Sequence, residues 1–344
     1  MSLRPPLGPS LSPRLTPRRS PRLSPFQRLA IATTLLTYLL IAVGGLVRAS
    51  GAGLGCPDWP RCFGTWIPPA SAAALPPQFD PAQFNPTLMW TEYLNRLLGV
   101  SVGFAILATT VSAWRRHRRQ PRIVWPIVTA LLLTGFQGWL GGRVVAHELA
   151  AWIVTVHMLV ALVIVQLLLW ATVESLVSDR PAARPAPALR AFGWWTWAAT
   201  GVLLVQVAFG TLVRGKVDEA LDAAVPRLDA LATVGTLDAT HRQLAALVTI
   251  AVVGLWLWAW LRHGGHAALT RAASTALALV VAQLLVGMAL AGLALPPAAQ
   301  VSHLTLASLL LGALTAVALV AWRWPAEESA SPASAHATIP ARSA

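Results

Sequence analysis

Eight apolar runs of about 20 residues divide the chain, at 27–47, 89–113, 123–143, 151–174, 193–213, 239–261, 272–293 and 301–322. A run of that length crosses the hydrocarbon core of a bilayer as a helix. The runs do not alternate apolar with polar residues, as the strands of an outer-membrane barrel would. Within lipid a helix also satisfies its own backbone hydrogen bonds. The expected fold class is an all-α integral membrane protein with eight transmembrane helices. Residues 1–26 hold Pro, Ser and Arg without an apolar core, so they read as a disordered basic tail and not as a signal peptide. Residues 325–344 read as a second disordered tail, and 175–192 as a linker between the fourth and fifth spans.

Composition agrees. Hydrophobic residues make up 56% of the chain and charged residues only 11%, against ~25% charged in a soluble domain. The formal charge of +13 comes from arginine, with Lys216 the single lysine. In a membrane chain this is an orientation signal and not a nucleic-acid footprint. Of the 26 basic residues, 18 lie in the N-terminal tail, the 114–122 loop and the segments level with them. That distribution puts both termini in the cytoplasm and the loops 48–88 and 214–238 outside. His117, His263, His266 and His336 fall on the cytoplasmic side and read as solvated.

The spans also repeat. Asn95 and His241, Arg96 and Arg242, Gln137 and Gln283, Gly141 and Gly287, and His157 and His303 are each 146 residues apart. Upstream, "GGLVR" at 44–48 matches "GTLVR" at 210–214 at a spacing of 166. The extra 20 residues are loop in the first half. The expectation is two pseudo-symmetric four-helix bundles, 27–174 and 193–324, related by an axis along the membrane normal. "GVSVG" at 99–103 predicts a close helix contact on the second span.

Ionisable residues inside spans are costly and usually functional. Asp238, His241 and Arg242 share one helical face, and His303 lies at similar depth on the eighth span. Two such imidazoles suit the two axial positions of a haem, and an adjacent arginine suits a propionate. The blander alternative is that each histidine bonds a neighbouring helix. Its recurrence in register favours haem over that alternative, and zinc lacks a third ligand. In the first half the matching residues are Glu92, Asn95, Arg96 and His157. Glu92 is either a proton acceptor or the ion-pair partner of Arg96, and spacing does not separate the two. His147 has no repeat partner and reads as interfacial. Cys56 and Cys62 stand in the outer loop, where disulfides persist. A small structural disulfide is the plainer reading, and a redox-active pair the sharper one.

"RASGAGLGCPDWPRCFG" at 48–64, "EYLNR" at 92–96, "VHMLVA" at 156–161, "THRQLA" at 240–245 and "SHLTLA" at 302–307 together resemble the haem A synthase family. The resemblance covers about residues 27–322. It implies an oxidoreductase of the cell membrane that turns a ring methyl of haem O into a formyl group, with oxygen from water, to supply cytochrome oxidase. It implies a haem B cofactor with iron on His241 and His303 beside Arg242. It implies a substrate pocket at Asn95, Arg96 and His157, with Glu92 and His157 catalytic and His157 on the substrate iron. Haem O synthase and a second copy of the chain are the candidate protein partners, and the electron acceptor is not legible. The family motif is Glu-x-x-His-Arg, and Asn95 stands where its histidine would be. A non-catalytic membrane b-type haem protein of the same fold is therefore the alternative. A transporter ranks third, because no pair of helices is broken by Gly or Pro at midplane.

Overall fold

The computed structural model describes residues 23–177, 187–264 and 266–323. Helix α1 covers Pro25–Ala49, α2 Pro86–His117, α3 Pro121–Ala146, α4 Ala151–Val177, α5 Pro187–Asp222, α6 Thr236–His263, α7 Ala267–Gly292 and α8 Pro297–Arg323. All eight are long and apolar enough to cross a membrane. The basic tail before residue 23, the centre of the linker (178–186) and the tail from 324, with His336, lie outside the described residues.

Local chemistry sets the helix ends. Ser24 and Gln27 form a reciprocal capping box at the start of α1. Asn85 caps α2 by accepting from the Thr87 and Leu88 N–H groups. Proline opens α1, α2, α3, α5 and α8, where its missing N–H costs nothing. Helix α5 runs past the expected end at 213 as far as Asp222. Ion pairs Arg214–Asp218 and Lys216–Glu219 at helical spacing sustain this polar extension, and apolar periodicity gave no sign of it.

Packing is ordered as two groups, α1–α4 and α5–α8, with α1 and α4 of the first against α5 and α8 of the second. Helix α8 is the most enclosed, touching α1, α4, α5 and α7. Its residues are buried on nearly every side from Ala307 to Ala321. Close approach needs small residues there: a side chain at Gly312 would collide with the Tyr38 hydroxyl, and one at Gly45 would come within 2.8 Å of Leu304. The Gly-x-x-x-Gly on α2 does not serve this purpose. A Cβ at Gly99 would meet nothing within 4 Å, and one at Gly103 would meet only Thr134, at 3.9 Å. Buried hydroxyls bond across helices, as Thr33 with Thr109 (2.9 Å) and Thr34 with Thr172 (3.2 Å). Leu35, Phe104, Leu132, Ile250 and Met288 face outward, as lipid-facing side chains do.

The α3–α4 and α7–α8 turns have one shape. Glu148 and Leu149 have positive φ, as do Ala294 and Leu295. In each turn the second residue's N–H returns to the carbonyl five residues back, Leu149 to Val144 and Leu295 to Leu290. His117 rests its ring on Phe26 and bonds Gln120, and His263 is half-buried. His266 corrects the expectation of a solvated side chain. It is buried, and its Nδ1 accepts from the Leu269 N–H to cap α7, which a His in a short interhelical loop does well.

Candidate functional site

Helices α6 and α8 bring His241 and His303 together near one end of the molecule, edge-on, with ring centres 6.5 Å apart and planes at 61°. The Nδ1–H of His241 donates to the Gln206 carbonyl on α5 at 3.1 Å. That bond fixes the tautomer and leaves Nε2 with its lone pair. The Nδ1 atom of His303 is buried without a protein partner. Glycines clear the space around both rings. A Cβ at Gly210 would stand 3.0 Å from His241 Cε1, and one at Gly287 would stand 3.3 Å from His303 Cε1. Two imidazoles bonded at ~2 Å to opposite sides of one metal ion have ring centres about 6 Å apart, so the observed spacing fits a shared iron. Among the described residues no group of three or more His, Cys, Asp or Glu could hold a metal ion. A donor set of two imidazoles matches haem iron, whose porphyrin supplies the other ligands. Arg242 pairs with Asp238 at 2.7 Å and keeps its guanidinium largely exposed.

In the first group, α2 carries Asn95 and α4 carries His157, and both helices pack on α1 and α3. Asn95 Oδ1 and His157 Nδ1 are buried without protein partners, which leaves both open to water or a ligand. Gln137 Nε2 donates to the His157 carbonyl at 3.0 Å, and a Cβ at Gly141 would lie 3.7 Å from His157 Cε1. A Cβ at Gly44, the residue matching Gly210, would meet nothing within 4 Å.

Glu92 and Arg96 turn toward the loop. Glu92 is buried, and its Oε2 accepts from the Cys56 N–H at 2.8 Å. Its Oε1 takes the Nε and Nη2 of Arg96. The remaining Arg96 donors reach the carbonyls of Asp58 and Arg61 (both 2.8 Å) and Cys56 (3.2 Å). A guanidinium has five N–H groups, and all five are used here. Cys56 and Cys62 are joined by a disulfide, fully buried under Phe63, Met89, Phe79 and Phe84. Gly55 is forced by close approach, since a side chain there would strike the Leu88 backbone. Trp59 lies on Gly142 of α3, and Gly53 lies on Leu149 of the next turn. The loop thus straddles α2, α3 and the α3–α4 turn. His147 pairs with Arg143 (2.8 Å) and packs on Trp152.

Sequence reasoning did not foresee the roles of Gln206, Gly210 and Gly287 around the imidazoles. The recurrence of Gly141 at 287 and of Gly44 at 210 was the available signal, and its meaning depends on which residue faces which ring.

Residues 27–315 match the model of a cytochrome oxidase assembly protein family, COX15-CtaA. The haem A synthase of Allorhizobium ampelinum is 29% identical over 199 residues, covering 52% of this chain and 53% of that protein. The chain belongs to the haem A synthase family. The haem A synthase of Rhizorhabdus wittichii is 27% identical over 272 residues, covering 71% of this chain and 76% of its own length. That of Geobacillus kaustophilus is 33% identical over 124 residues, covering 36% and 34%. The chain spans about half the length of several curated haem A synthases that it matches. With eight helices among the described residues long and apolar enough to cross a membrane, this family member is a multi-pass membrane protein.

Proposed function

We propose that the protein is a haem A synthase, an oxidoreductase that converts a ring methyl of haem O to a formyl group with oxygen from water. The observation that carries the proposal is the His241/His303 pair, spaced for one iron and cleared by Gly210 and Gly287. In this proposal those histidines hold a haem B, whose iron supplies one-electron redox chemistry. The α1–α4 group receives the substrate haem O, with His157 on its iron and Asn95 on the opposite side. The repeated spacing of 146 residues, extending to the paired turns at 148–149 and 294–295, supports an origin by duplication.

The residues divide the work. His157 orients the substrate, and Asn95, a neutral donor and acceptor, suits a water at the second axial position. Glu92 and Arg96 hold the disulfide loop against α2, and in this proposal the loop covers the pocket and limits the entry of bulk water. From the family resemblance, Glu92 is also the proposed acceptor of a proton as the methyl is oxidised. Arg242, with exposed donors, suits a haem B propionate. The family resemblance supports a cell-membrane location, and the arginine distribution supports both termini in the cytoplasm. Haem O synthase is the fitting upstream partner.

The non-catalytic b-type haem protein remains a second reading because Asn95 supplies no strong iron ligand. Expression of wild type and His157→Ala in cells that make haem O separates the two. Haem A from wild type and none from His157→Ala supports the synthase. Equal haem A from both shows that the first group is not the catalytic pocket.

A further inference from the structure

Arg48 at the end of α1 and Arg214 on α5 share one carboxylate. Arg48 Nη2 lies 2.7 Å from Asp218 Oδ2, and Arg214 Nη2 lies 2.8 Å from Asp218 Oδ1. Two cations on one anion leave a net positive charge among half-buried side chains. Both Asp218 oxygens are taken, while Nε and Nη1 of Arg214 are buried with no partner. Charged N–H groups kept without an acceptor are costly, so this edge has room for an acceptor such as water or an anion.

Its place in the fold indicates which anion. Arg214 stands four residues after Gly210, on the same face of α5 and ~6 Å further along the axis. Gly210 is the residue against which the His241 ring packs. Along α5 Arg214 thus stands one helical turn beyond the glycine under the His241 ring, and its guanidinium reaches on toward Asp218. A haem's propionates are the only anionic groups on its rim, and arginine pairs with carboxylates in bidentate fashion.

We propose that Arg214 binds a propionate of the haem held by His241 and His303, with Asp218 holding the guanidinium in place. The assignment rests on the haem B site proposed above. Asp218 also ties this anchor to Arg48 at the end of α1, the residue that matches Arg214 at the spacing of 166.

The test measures loss of haem from the purified full-length protein to an excess of apomyoglobin. It compares wild type, Arg214→Gln and Arg214→Lys, each carrying haem B or its dimethyl ester. Removing a charge-assisted hydrogen bond should speed the loss of haem B about tenfold in Arg214→Gln, with Arg214→Lys intermediate. With the diester, which has no carboxylate, wild type and Arg214→Gln should lose the porphyrin at one rate. Equal rates with haem B, or a tenfold gap that persists with the diester, overturn the propionate contact. If Arg214→Gln does not fold, Arg214→Lys keeps the charge and carries the same comparison. A wild-type protein without low-spin haem overturns the haem site itself and this anchor with it. A low-spin spectrum with no effect of Arg214 overturns the anchor alone.

Discussion

Replacing Glu92 by Gln probes the clasp between α2 and the disulfide loop. The glutamate is 4% exposed and serves both the Cys56 N–H and the Arg96 guanidinium. The amide removes the charge and turns an NH2 toward at least one of these donors. Breaking one side of a buried ion pair costs about 3–5 kcal/mol. The lower end, ~3 kcal/mol, applies here because Arg96 keeps its three loop carbonyls. At 1.4 kcal/mol per tenfold, loop opening should become ~100-fold more frequent. Both cysteines are 0% exposed, so reduction of the disulfide requires that opening. The assay is the rate of phosphine reduction of Cys56–Cys62 in nanodiscs, followed by mass-tag alkylation. Glu92→Gln should reduce roughly 100-fold faster than wild type and make less haem A. A rate within threefold of wild type would refute the clasp. If haem A output still fell in that case, proton acceptance alone would account for Glu92.

Other outcomes follow from the two pockets. His241→Ala or His303→Ala should each abolish the low-spin haem signal of the purified protein, and an unchanged spectrum in both contradicts the axial pair. Alanine at the ring-facing glycines should perturb haem binding in the order Gly210, Gly287, Gly141, following Cβ-to-ring distances of 3.0, 3.3 and 3.7 Å. Optical titration that finds Gly141→Ala the most damaging would refute that steric order. Asn95→His should turn the first pocket toward a six-coordinate low-spin haem with the fold retained, read by electron paramagnetic resonance. No new low-spin species would count against Asn95 facing the substrate iron.

The eight spans and the pairing of His241 with His303 were legible because hydropathy and a fixed spacing are properties of the chain itself. The polar end of α5 was not, because its stability comes from side-chain pairs such as Arg214–Asp218 and not from apolar periodicity. The contact between groups was hidden for a related reason. Within the spans apolar residues face outward (Leu35, Ile250) and inward (Leu162, Leu311) alike, so the two stripes look alike, and α8 differs mainly in small residues such as Gly312. Glu92 was seen as either an acid–base group or an ion-pair partner of Arg96. Its bond to the Cys56 N–H spans 36 residues and has no local signature. His266 was misjudged because a loop position gives no warning that a side chain folds back to cap the next helix.

The most direct measurement is haem analysis by liquid chromatography and mass spectrometry in a strain that makes haem O but lacks its own haem A synthase, with and without this chain. The account predicts that haem O accumulates without the chain and that haem A appears when it is expressed. Haem O unchanged and haem A absent with the protein present, folded and carrying low-spin haem would contradict the synthase and leave a membrane b-type haem protein.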